Sequence, residues 1–218
     1  GSAETGAAVS NPPSLPNALA GIPGVIRARD LIGQAEKRER EKERFLASIG
    51  VERAENERGA FGLREAIYPL GGMPYPPEDI AGTELALLFR DPAMTELAAG
   101  DILFLDTETT GLAGGTGTVP FLTGLGFFDG DVFRVRQFLM RDYDEEPAVL
   151  LEIQRLLERF PAIATYNGKG FDVPILSARF LLNRLRTPIA ELPHADFLYP
   201  ARRFWKELLP NCTLLCVE

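Results

Sequence analysis

The run Ile102-Leu103-Phe104-Leu105 leads straight into Asp106-Thr107-Glu108-Thr109-Thr110-Gly111. An unbroken apolar run of this length, closed by a turn signal, reads as a buried strand that ends in acid. Side chains alternate along a strand, so Asp106 and Glu108 point to the same side. Two carboxylates in that position repel each other, and burial penalises their charged forms. A divalent cation relieves both costs, because hard cations take carboxylate oxygens. The Thr-Thr-Gly that follows turns the chain sharply and leaves backbone open to an approaching ligand.

A second segment has the same character. Ala162-Ile163-Ala164-Thr165-Tyr166 predicts another strand, which runs through Asn167-Gly168-Lys169-Gly170-Phe171 into Asp172 and a helical pattern. Asp172 at a helix start either caps free N–H groups or faces a cleft at the strand's end. Together the two segments point to a metal-dependent site that cleaves phosphodiesters.

Bulk properties bound the class. The chain has 218 residues, 45% apolar and 25% charged, which suits one globular domain with an extension. Two cysteines, Cys212 and Cys216, make no disulfide framework, and their spacing fits one face of a helix. With a single histidine they are too few for zinc. Low cysteine use suits a reducing, cytoplasmic setting. No apolar run reaches a membrane-spanning length, and no signal peptide is visible. The net charge of −8 argues against broad electrostatic affinity for nucleic acid. Basic residues do gather near the second segment (Lys169, Arg179, Arg184, Arg186) and farther on (Arg202, Arg203, Lys206), as candidate phosphate contacts or solvated helix faces.

Along the chain, residues 1–24 read as loosely tethered, and 27–48 as a charge-dense solvated helix with many i,i+4 pairs. A short strand is expected near 61–68 and a helix over 83–98, interrupted at Pro92. Then follow strands at 101–107, 119–128 and 132–140, a helix at 145–159, a strand at 162–166, and helices at 173–185 and near 197–208. Gly130 between two aspartates marks a hairpin. The glycine-rich stretch 114–117 lacks the Lys-Ser/Thr ending of a P-loop and reads as a turn. His194 is expected to be structural or at the substrate edge, and Asp196 a capping residue. Phe204 and Trp205 are expected in the core.

These motifs resemble a known family. D-T-E-T-T-G-L-A-G-G-T-G-T at 106–118, F-L-T-G-L-G at 121–126, Y-N-G-K-G-F-D-V-P-I-L at 166–176 and H-A-D-F-L-Y-P-A-R-R-F-W at 194–205 are similar to the DEDD 3′–5′ exonucleases, and more closely to their YprB-type bacterial branch. The resemblance implies an α/β, RNase H-like mixed sheet flanked by helices. It implies an N-terminal extension at 1–58, a connecting segment at 59–100 and the exonuclease domain at 101–218. It also implies Asp106, Glu108 and Asp172 as catalytic metal ligands for two Mg2+ or Mn2+ ions. Asp106 would bridge both ions, Glu108 would complete one site and Asp172 would support the other. Thr107, Thr109, Gly111, Leu112, Asn167 and Lys169 are the implied substrate contacts. The implied partner is nucleic acid, DNA or RNA, engaged at single-stranded 3′ ends.

The family's fourth acid, an aspartate in a third motif preceded by histidine or tyrosine, has no match after Asp196. The start Gly1-Ser2 without methionine reads as a tag remnant. The chain is therefore expected to be a piece of a longer protein, with that part of the domain missing. Two rivals remain. One is a non-catalytic nucleic-acid-binding or scaffold module with an incomplete site. The other is an enzyme acting on nucleotides rather than polymers.

Overall fold

A computed structural model of the chain describes residues 28–71, 77–111 and 117–217. The loosely tethered segment expected at 1–24 and most of the glycine-rich turn at 114–117 lie outside those residues. The chain divides into two units, 1–49 and 50–218. Among the described residues the first holds one helix, α1 (Ala28–Ser48). Its described side chains are nearly all exposed, and Lys37–Glu41 and Glu36–Arg40 form i,i+4 ion pairs at 3.8 and 3.7 Å. This is the solvated helix that its charge pattern predicts.

The second unit is built on β1 (Glu52–Asn56), β2 (Gly59–Pro69), α2 (Gly82–Phe89), β3 (Ile102–Thr109), β4 (Pro120–Asp129), β5 (Val132–Leu139), α3 (Glu146–Leu157), β6 (Ala162–Thr165), α4 (Asp172–Leu182), β7 (His194–Asp196), α5 (Leu198–Trp205) and α6 (Leu214–Val217). The seven strands form one mixed sheet in the order β1-β2-β5-β4-β3-β6-β7. β3 pairs antiparallel with β4 and parallel with β6. β4 and β5 are joined by a two-residue turn with Gly130 at φ 64°, a left-handed angle that glycine adopts freely.

Strand parity divides the core in two. Leu103 and Leu105 of β3 join Leu125, Phe127 and Ile163 beneath α3 and α4. α3 offers Val149, Leu150, Ile153, Leu156 and Leu157, a helical stripe, with Pro147 in its first turn. The opposite face, at Ile102, Ala162, Ala164 and Ala195, is covered by Leu85 of α2 and Met94.

Between α3 and α4 lies a bidentate ion pair. Arg179 Nε donates to Glu146 Oε1 at 2.5 Å and Nη2 to Oε2 at 2.6 Å, and Asn183 adds a third bond at 2.8 Å. Arg179, a candidate phosphate contact by sequence, is thus committed to joining two helices. Among the described residues no helix is long and apolar enough to cross a membrane.

Several elements differ from expectation. β1 falls within the segment read as extension yet is a strand of the sheet, whereas β2 is the strand expected near 61–68, longer than expected and paired with both β1 and β5. The helix expected over 83–98 ends at Phe89, where Arg90 turns left-handed at φ 55° before Pro92. The helix near 197–208 stops at Trp205. Cys212 precedes α6, so the two free cysteines do not share a helical face.

Candidate active site

β3 carries its two acids to the end of the sheet's central strands. Leu103, Leu105 and Thr107 face the α3/α4 side and are buried, whereas Asp106 and Glu108 are exposed together on the other side. The register between β3 and β4 shifts at Glu108/Thr109. A break in the ladder at that point is of the kind that re-aims strand ends beside functional sites.

Asp172 is the first residue of α4 rather than its N-cap, which is Phe171. Its side chain is 4% exposed. Thr107 Oγ1 donates to Asp172 Oδ1 at 2.5 Å. Burial pushes the Asp172 carboxyl above its ordinary value; the Thr107 bond opposes this, and the charge of Asp106 adds to it. The fold therefore brings Asp172 within electrostatic reach of Asp106, 66 residues earlier in the sequence.

The remaining expected contacts divide. Thr107 was expected at substrate, but strand parity buries it at 8% exposure and its hydroxyl is spent on Asp172. Thr109 Oγ1 donates to Gly111 O at 3.1 Å and so pins the turn, while a Cβ on Gly111 would meet nothing within 4 Å. Leu112 lies outside the described residues. Asn167 and Lys169 are exposed on the turn after β6, with Lys169 Nζ 5.7 Å from the centre of the Tyr199 ring.

That turn is fastened from below. Asn167 adopts φ 67°. Asp196 Oδ1 accepts from Asn167 N at 2.8 Å and from Leu198 N at 3.1 Å, and Oδ2 accepts from Lys169 N at 3.0 Å. Thr165 Oγ1 accepts from Gly168 N at 3.1 Å and lies 2.8 Å from His194 Nε2. Asp196 was expected to cap α5; the N-cap is Phe197, but Asp196 Oδ1 does take the first N–H of the helix, at Leu198. Sequence alone carried no sign that it also holds the 167–169 turn. Its partners lie 27 and 29 residues away.

His194 is structural. Burial, aided by the charge of Lys169 and opposed by Asp196, lowers its pKa from 6.5 to about 4. A histidine that binds its proton more weakly folded than unfolded is lost to acid. Its contribution is complete above pH 6.5 and is withdrawn as pH falls towards 4. We expect the chain to lose about 2 kcal/mol more than His194→Gln across that interval, after allowance for solvent screening. Urea denaturation of both proteins at each pH measures the difference. Equal losses would mean that the ring is not held neutral.

A groove of about 690 Å3 opens beside Asp106 on the α2 side of the sheet, walled by Phe104, Gly126, Phe133, Phe197 and Trp205. Phe204 and Trp205, expected in the core, are 55% and 42% exposed at its rim. Among the described residues no three of His, Cys, Asp or Glu converge as a ready-made cage for one ion.

A five-strand core in the order β5-β4-β3-β6-β7, with acids at the end of β3 and at the start of the helix after β6, defines an RNase H-like fold. The family model for the RNase H superfamily matches residues 103–218, and the chain belongs to that superfamily. It is 38% identical over 119 residues to the uncharacterized protein YprB of Bacillus subtilis (strain 168), covering 54% of this chain and 29% of YprB. It is 43% identical over 37 residues to DNA polymerase 1 of Aeropyrum pernix, covering 17% of this chain and 4% of the polymerase. The chain thus spans less than a third of either relative.

Proposed function

We propose that residues 101–218 form a metal-dependent 3′–5′ exonuclease domain acting on single-stranded ends of DNA or RNA. The observation that carries this reading is the exposed pair Asp106 and Glu108 on one face of β3, with the buried Asp172 carboxyl close enough to feel the charge of Asp106. Like charges gathered at a strand end cost stability unless a cation offsets them. The donors are all carboxylate oxygens, which fits Mg2+ or Mn2+. Asp106 and Glu108 would hold one ion, and Asp172 would support a second, with waters completing each shell. When bound, such ions activate a water and stabilise the leaving oxygen of a phosphodiester.

The chain's own residues would do the rest. Thr107 holds one Asp172 oxygen and so fixes the orientation of that carboxyl. Asn167 and Lys169 present an amide and a cation to the nucleic-acid backbone, and Gly111 leaves room for close approach. Similarity to a DNA polymerase supports nucleic acid as the substrate class.

Titrating Mg2+ or Mn2+ into the chain with a 3′-labelled single strand tests the proposal. Divalent-dependent shortening from the 3′ end is the expected result. One observation favours a second reading, a nucleic-acid-binding or scaffold module: no three acids converge among the described residues. That reading gains if the strand binds and stays intact in Mn2+.

A further inference from the structure

The turn that presents Asn167, Lys169 and Asp172 has almost no support of its own. Phe171 N and Val173 N both return to Gly168 O, at 3.2 and 3.0 Å, which closes the turn onto α4. The other end, at Asn167, is left-handed, a conformation that costs a non-glycine residue energy. Without an external partner, the N–H groups of 167, 168 and 169 would all point into the protein unsatisfied. A run of inward-pointing N–H groups makes an anion-binding concavity.

The anion that fills it is internal. Asp196 is 2% exposed, and its two oxygens take Asn167 N and Lys169 N, one each, while Thr165 Oγ1 takes Gly168 N between them. The same Asp196 Oδ1 takes Leu198 N at the start of α5. β7 lies parallel to β6 with Thr165 opposite Asp196, so the pairing register sets where the carboxylate arrives. The seat has no slack. A Cβ on Gly168 would lie 2.5 Å from Thr165 Cβ and Oγ1.

We infer that Asp196 is a positioning residue of the site: its carboxylate seats the 167–169 N–H groups and thereby sets Asp172 against the end of β3. Its hydrogen bonds go to the backbone N–H groups of Asn167, Lys169 and Leu198, so it acts on the site through the turn. The inference deepens the exonuclease reading and rests on it for one of its two readouts. Charge-assisted bonds to backbone N–H groups are the strong class of hydrogen bond. Partners of this kind behind metal ligands change metal affinity by roughly 10–100-fold when removed.

The experiment compares the chain with Asp196→Asn, which keeps the size but loses the charge and one acceptor. Amide hydrogen exchange is followed by NMR, and Mn2+ alone is titrated into each protein. In the unaltered chain, Asn167 and Lys169 should be protected far beyond an exposed loop. In Asp196→Asn they should lose at least about tenfold in protection while Ile163 and Ala164 of β6 keep theirs, and Mn2+ affinity should fall by roughly 10–100-fold.

Free exchange of the two amides in the unaltered chain overturns the inference without any variant, even if Asp196→Asn fails to fold. So does lost protection with unchanged Mn2+ affinity, because the turn then moves without consequence for the site. If the unaltered chain takes up no Mn2+ while both amides respond as expected, the metal reading falls and the role of Asp196 in seating the turn is upheld.

Discussion

Asp106→Asn is expected to abolish divalent-dependent hydrolysis while leaving the metal-free protein at least as stable as before. The two effects have one cause. Asp106 is exposed at the end of β3, and its charge helps to hold the Asp172 carboxyl above its ordinary value. Removing that charge relieves a repulsion, worth about 0.5 kcal/mol or less at an exposed position. It also removes the charge and one of the two oxygens with which Asp106 would hold a cation. A metal supplies several kcal/mol of charge stabilisation, so the rate should fall by about a thousandfold or more.

Thermal denaturation separates the two effects. Mn2+ at about 100 times its dissociation constant should stabilise the unaltered chain by about 2.7 kcal/mol and the variant by almost nothing. A variant that is clearly less stable without metal would show that Asp106 makes structural bonds, and the carboxylate argument would lose its basis.

Much of this site can be read from strand parity, including one point that the expected contacts overlooked. The alternation that places Asp106 and Glu108 together also places Thr107 on the opposite face, so its burial against Asp172 follows from the same rule. The hairpin at Gly130 and the stripe on α3 are equally local signals. β1 was not legible, because Glu52-Arg-Ala-Glu-Asn has no apolar alternation and exists as a strand only by pairing with β2 at the sheet edge. β7 is three residues long, below any periodic signal, and it is buried through its pairing with β6. The role of Asp196 depends on N–H groups that only the folded register brings to it. Nor does any local signal separate Arg179, tied to a buried acid, from the exposed Lys169.

Gly82→Ala is expected to destabilise the chain by about 3 kcal/mol or more. Gly82 opens α2, where Glu84 Oε2 accepts from Ala81 N at 3.1 Å. Its φ is not in the left-handed region, so alanine meets no backbone strain and contact alone decides the outcome. A Cβ at this position would be driven into the carbonyl oxygens of Thr95 and Leu97 and would lie 2.7 Å from Met94 O. Backbone oxygens cannot rotate away as a flexible side chain can. The 94–97 turn would have to lift, taking with it Met94, which is fully buried over the Ile102–Ala164 face. α2 would lose its seat beside β3, and with it the Leu88 carbonyl that accepts from Arg203 of α5. Gly100→Ala is the control: it is exposed, a Cβ there would meet nothing within 4 Å, and its stability should change by no more than about 0.5 kcal/mol. Chemical denaturation of the three proteins gives the comparison. If Gly82→Ala costs no more than Gly100→Ala, the turn does not close over α2, and the covering of the site-bearing face has to be redrawn.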